Sequence, residues 1–179
     1  IQIFNIRGGG LAIYGGIIGG LITIIVMCHM KKLSFWKSAD IICFGVLIGQ
    51  IFGRWGNFFN REAFGRYTDC LFAMQIPVNA VNRPQDITTE MMNNLVTRNG
   101  IECIQVHPTF LYESVMNICI FFFLLWYRKR KKFDGEVFLW YMALYGLGRS
   151  FIERLRTDQL RIAGTAIPVS QLLGILLFA

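Results

Sequence analysis

Four stretches of the chain stay apolar for about twenty residues at a time, and a polar segment of different character separates the second from the third. The first, Leu11 to Met30, makes roughly 30 Å of helix, the thickness of a bilayer's hydrocarbon core. The second covers Ser38 to Phe59, the third His107 to Tyr127 and the fourth Glu136 to Leu155. Each predicts a transmembrane helix. A last apolar segment, 167–179, is too short to span as it stands, and the chain starts and stops in apolar sequence, so a piece of a longer protein is expected. The pattern predicts an all-α polytopic membrane protein: residues 1–59 hold two spans, 60–106 a small extramembrane module, and 107–179 the remaining spans.

Glycines punctuate the first two spans. Gly15, Gly16, Gly19 and Gly20 form overlapping small-xxx-small pairs, and Gly45, Gly49 and Gly53 step along one stripe of the second span, so both predict close helix contact. In the module, Phe72 to Ile76 alternates as a strand does, and Asp86 to Asn99 predicts a short helix. Cys70 and Cys103 lie there, available to pair in an oxidising compartment, although their spacing does not demand it.

Composition agrees with a membrane protein: 54% of the 179 residues are hydrophobic and the mean hydropathy is +0.47. The net charge of +7 suggests nucleic acid until its placement is considered. Arg128-Lys129-Arg130-Lys131-Lys132 follows the third apolar run directly, and Lys31, Lys32 and Lys37 follow the first. Alternating parity and the positive-inside rule then put both loops in the cytoplasm. The module between them is extracytoplasmic, and no nucleic-acid partner is expected.

That topology collects the unusual residues on one side. Tyr14 opens the first span; Arg54, Asn57 and Glu62 end the second, with Glu62 eight residues on and sharing Arg54's face if the helix continues. His107, Tyr112 and Glu113 begin the third span, and Tyr145, Arg149, Glu153 and Arg156 form one polar stripe near the end of the fourth. Charges at such depth need partners or a task. Two arginines in a water-poor setting suit phosphate, because guanidinium offers a planar fork of donors and stays charged when partly desolvated. No metal-ligand spacing and no nucleotide-binding glycine loop occurs, so neither a metal nor another cofactor is expected. A lipid or anion transporter, in which the arginines bind without chemistry, is the alternative, although no internal repeat supports it.

Gly53-Arg54-Trp55-Gly56-Asn57-Phe58-Phe59-Asn60-Arg61-Glu62-Ala63-Phe64-Gly65 resembles the signature of the prolipoprotein diacylglyceryl transferases, G-R-x-G-N-F-x-N-x-E-x-x-G, at every specified position. The resemblance extends to the glycine-rich region around Tyr14, to His107-Pro108 with Leu111-Tyr112-Glu113, and to Gly148-Arg149 with Glu153 and Arg156. It implies a multi-pass enzyme of the bacterial cytoplasmic (inner) membrane, with its active site toward the outer leaflet. Such an enzyme moves the diacylglyceryl group of phosphatidylglycerol onto the lipobox cysteine of a prolipoprotein signal peptide and releases glycerol phosphate. The implied catalytic residues are Arg54, Arg149 and Tyr14, and the implied substrate-binding residues are Arg54, Asn57, Glu62, Gly65, Arg149 and Glu153. Tyr14 stands where many members carry histidine, which leaves the acceptor of the thiol proton open.

Overall fold

The computed structural model covers residues 11–156, with backbone only for 11–14 and Ile17. Arg7, the glycines at 8–10 and the segment 167–179 lie outside the described residues. The element order is α1 (Leu11–Met30), α2 (Phe35–Asn60), β1 (Met74–Pro77), α3 (Thr89–Asn93), β2 (Val96–Arg98), β3 (Ile101–Val106), α4 (Thr109–Tyr127) and α5 (Glu136–Glu153), with two single 3-10 turns between β1 and α3. The four long helices fall where the apolar runs predicted them. Two of them, α2 and α4, are long and apolar enough to cross a membrane.

Helices α2, α4 and α5 pack around a shared core of Cys43 and Leu47, Ile120 and Leu124, and Val137 and Tyr141. Each helix supplies this core from a stripe at three- and four-residue steps. Continued toward the other end of the bundle, the same stripes carry Gln50 and Arg54 on α2, Asn117 and Glu113 on α4, and Tyr145 and Arg149 on α5. The geometry that buries apolar groups at one end therefore delivers charge to the interior at the other. The outer faces remain apolar, with Ile41, Phe52, Phe59 and Phe122 exposed.

The glycine stripes behave differently from expectation. A methyl group at Gly45, Gly49 or Gly53 would meet nothing within 4 Å, and the same holds for Gly15, Gly16, Gly19 and Gly20. These stripes face away from the described helices, and the Cys43-Leu47-Gln50 stripe is the one that leads to Arg54. The close glycine approach in the bundle is at Gly148 of α5, against the Met116 side chain of α4.

At the end of the bundle away from Arg54, Asp40 of α2 locks α5 in place. Its carboxylate is nearly buried, accepts the Gly135 and Phe138 N–H groups at 3.0 Å each, and takes the Lys131 ammonium at 3.0 Å. Helix N-termini leave N–H groups unsatisfied, and here another helix satisfies them. Gly135 meets two demands: its φ is +93°, and a Cβ there would lie 2.6 Å from the Trp36 ring. Asp40→Ala should lower unfolding stability in detergent by about 2–4 kcal/mol, read as a lower thermal midpoint. The folded fraction should keep its activity, because Arg54 is about 20 Å further along α2.

Between α2 and α4 the chain builds a three-stranded antiparallel sheet in the order β1-β3-β2, with Met74 opposite Val106 and Val96 opposite Cys103. Its core holds Phe64, Ile76, Val81, Met91, Ile104 and Val106. The helix expected over Asp86 to Asn99 shrinks to Thr89–Asn93, and the rest becomes β2 and a tight turn at Asn99-Gly100, both at positive φ. Two consecutive left-handed residues fit a hairpin and break a helix. Cys70 and Cys103 are separate thiols, one exposed and one buried within β3.

Candidate active site

The charged ends of the three inward stripes meet at Glu113. This carboxylate is 1% exposed, and it receives Arg54 through Nε at 2.8 Å, Arg149 through Nη1 at 2.7 Å and Arg156 through Nη1 at 3.6 Å. Arg149 also pairs with Glu153 one turn along α5. Among the described residues, three guanidinium groups thus meet two carboxylates, an excess of one positive charge. The cluster's exposed surface belongs to the arginines, since the Arg54 and Arg149 side chains are 23% and 16% accessible while both carboxylates are nearly sealed. Arg54 meets Glu113 through Nε, and no partner of its terminal amino groups occurs among the described residues. A positively charged, partly desolvated fork of donors is a site for an anion.

The predicted residues distribute unevenly around this cluster. Arg54, Arg149 and Glu153 are in it, and Arg156, which lies beyond the end of α5, reaches it from an isolated bridge with Gly65. Asn57 sits one turn beyond Arg54, half-buried, with no side-chain hydrogen bond among the described residues. Glu62 is not on Arg54's face. The helix stops at Asn60, Arg61 turns left-handed at φ +52°, and Glu62 instead accepts the amides of Asn60 at 3.3 Å and Asn82 at 3.2 Å. Tyr14 belongs to α1, and its side chain lies outside the described residues.

Gly65 lies where three chain segments cross. Its N–H donates to the His107 carbonyl at 3.0 Å, it bridges to Arg156, and a Cβ there would stand 2.6 Å from His107 Cβ and 3.0 Å from the Leu155 carbonyl oxygen. Thr109 closes the crossing by donating to the Ala63 carbonyl at 2.7 Å. The last glycine of the signature is therefore the point at which the approaches to α4 and the exit from α5 are pressed together, and this crossing brings Arg156 back to Glu113.

Sequence reasoning placed Glu113 at this end of the bundle but gave it no role. The available signal was a carboxylate inside an apolar run facing arginines on two other helices. Thr109 gave no signal, because its partner is a backbone carbonyl.

A second polar layer lies one helical turn below the charges. Gln50 donates to the Tyr141 hydroxyl at 3.0 Å, and Ser114 donates to the Ile51 carbonyl at 3.5 Å. Asn117 is fully buried, and neither its amide nitrogen nor its oxygen has a partner among the described residues. An unmet buried amide costs about 1–3 kcal/mol. Asn117→Leu should therefore raise the thermal midpoint in detergent, and a lower midpoint would show that the amide is satisfied by residues outside 11–156.

Beside the cluster, on the approach to α4, half-buried His107 holds its Nδ1 3.3 Å from the Tyr112 hydroxyl. Burial pushes the imidazole below its usual pKa, so it is neutral at pH 7. Cys70 is exposed; its N–H donates to the Thr68 hydroxyl at 3.3 Å, and hydrogen bonding to Thr68 foremost holds its thiol below the ordinary pKa.

The family model for prolipoprotein diacylglyceryl transferase matches residues 1–179. Among curated relatives, the phosphatidylglycerol–prolipoprotein diacylglyceryl transferase of Finegoldia magna is 45% identical over 97% of this chain and 60% of its own length. The protein of the same name from Clostridioides difficile is 43% identical over 90% of this chain and 55% of its own length. That from Bacillus cytotoxicus is 39% identical over the whole of this chain and 62% of its own length. The chain thus spans between 55% and 62% of these three relatives.

Proposed function

The chain belongs to the prolipoprotein diacylglyceryl transferase family, and from that premise we propose that the protein transfers the diacylglyceryl group of phosphatidylglycerol to the lipobox cysteine thiol of a prolipoprotein. The observation that carries this reading is the Glu113-centred cluster, which exposes arginine and retains one positive charge at the end of an apolar helical bundle. A phosphodiester carries one negative charge, so the headgroup phosphate neutralises the cluster. Arg54 and Arg149 hold that phosphate, while Glu113 and Glu153 hold the arginines. Asn57 stands at the rim, within one turn of Arg54, where it serves the glycerol end of the headgroup. Glu62 and Gly65 act at one remove, fixing the module and the crossing beside the site, and Tyr14 contributes from α1.

In the reaction, the thiol sulfur attacks the glycerol carbon that carries the phosphate. A C–S bond forms, the C–O bond to phosphate breaks, and glycerol phosphate leaves with a second negative charge. Arginines already aimed at the phosphate stabilise the charge as it develops and need no reorganisation to do so. The protein is multi-pass in the bacterial cytoplasmic membrane. Its basic loops, with Lys31, Lys32 and Lys37 in one and the 128–132 block in the other, occupy the end opposite the cluster, which supports a site at the outer leaflet. The module of residues 60–106 then faces the extracytoplasmic side, where prolipoprotein arrives.

The test is to supply the intact protein in phosphatidylglycerol vesicles with a lipobox peptide, following glycerol phosphate and peptide mass together. Equal release of glycerol phosphate and a diacylglyceryl mass gain on the cysteine is the expected result. Headgroup release with an unmodified peptide would make the protein a lipase and sink the transferase reading.

A further inference from the structure

We propose that His107, working through the Tyr112 hydroxyl, accepts the proton of the incoming cysteine thiol. The inference rests on the transferase reading and supplies the group that reading leaves open. Thiolate, not thiol, is the nucleophile, and an ordinary cysteine is only a few per cent ionised at neutral pH. A base at the site therefore has work to do.

The candidates are few. Glu113 and Glu153 are both engaged by arginines, and taking a proton would break the ion pairs that hold the phosphate site together. The chain has two histidines. His29 is in the last turn of α1, at the opposite end of the bundle. His107 is at the cluster end: its carbonyl takes the Gly65 N–H, Gly65 bridges to Arg156, and Arg156 reaches Glu113. Tyr112 is the residue before Glu113 on α4. Its hydroxyl stands 3.3 Å from the imidazole Nδ1. A phenol hydroxyl both accepts and donates, so it can take the thiol proton while giving its own to the imidazole.

The proton balance is simple. The thiol proton passes to the Tyr112 oxygen as the hydroxyl proton passes to His107 Nδ1, the sulfur takes the glycerol carbon, and the departing phosphate takes the C–O electron pair. The imidazolium then releases its proton to the phosphate dianion or to water. The titratable group against the imidazole is Tyr112 from α4; Arg66, from the segment after α2, meets His107 through its backbone, and Arg156, from the segment after α5, meets the adjoining Gly65. Burial favours the neutral imidazole, the form that can accept a proton.

A lipobox peptide carrying selenocysteine separates the proton step from the rest, because a selenol is ionised at neutral pH and needs no base. In the intact protein, His107→Gln should lose about 10²–10³-fold with the cysteine peptide, within the range for a general base, and come within about tenfold of wild type with the selenocysteine peptide. With cysteine its rate should keep climbing across pH 7–9 as the thiol ionises by itself, whereas the wild-type rate levels off once His107 is neutral. Tyr112→Phe should show a smaller loss and the same rescue, and it decides the matter if the His107 variant does not fold. An equal loss with both peptides would make the pair merely structural and overturn the proposal, as would no loss with either. Wild type giving no thioether from either peptide would remove the transferase reading itself, a result the variants cannot mimic.

Discussion

Glu113→Gln is expected to abolish most of the transfer activity and to destabilise the bundle as well. The change keeps shape and volume but removes the one charge that all three arginines share. Arg54 and Arg156 would lose the carboxylate they share and Arg149 one of its two, and breaking a buried ion-pair network in this way costs about 3–5 kcal/mol. The thermal midpoint in detergent should fall accordingly. Transfer should fall by at least about 10²-fold, because Arg54 loses its Nε anchor and its remaining donors lose their aim. A second substitution separates charge from geometry. Adding Arg156→Gln restores the net charge, so the double variant should recover part of the stability but little of the activity, a coupling that a double-mutant cycle measures directly. If Glu113→Gln transferred at the wild-type rate, the carboxylate could not be what positions the arginines.

What the sequence made legible follows from what apolar periodicity can and cannot encode. A run of twenty apolar residues has one stable solution in a bilayer, so the four long helices were readable to within a few residues. The face each helix turns inward was harder. Along α2, the Gly45-Gly49-Gly53 stripe and the Cys43-Leu47-Gln50 stripe are both helical, and in a helix apolar nearly all round nothing local says which one meets a neighbour. Arg54 was legible because a charge there must be partnered, but Glu62 shares its face only if the helix continues, and it does not. The left-handed turn at Arg61 directs Glu62 to Asn82 instead, while the true partner arrives from α4. In the module, Asn99-Gly100 carried a hairpin signal as strong as any short sequence offers, and the helical reading of the preceding residues obscured it. Gly65 is the opposite case. It stood out as a signature residue, yet its reason is a crossing of three segments distant in sequence, which no single-segment pattern contains.

Arg149 carries the second large prediction, because it is where charge and hydrogen-bond geometry separate. Among the described residues, Arg149→Ala leaves two guanidiniums and two carboxylates, so the excess positive charge is gone, while Glu113 and Glu153 each lose their Arg149 contact. Such a site no longer attracts an anion, so the preference for anionic phosphatidylglycerol over zwitterionic lipid should disappear, and transfer should fall about 10²–10³-fold, as when one preorganised donor to a developing oxyanion is removed. Arg149→Lys keeps the charge but offers a compact ammonium in place of a planar fork. Lysine can serve Glu113 or the phosphate, but it cannot span Glu113, Glu153 and a ligand at once. The lysine variant should therefore keep its lipid preference and an apparent KM for phosphatidylglycerol within a few-fold of wild type, while kcat falls about tenfold or more. Glycerol phosphate release measured against the mole fraction of phosphatidylglycerol in vesicles reads both quantities. An alanine variant that kept near-normal transfer would remove the phosphate-holding role of Arg149. A lysine variant as impaired in KM as alanine would mean that the fork, and not the charge, recruits the lipid.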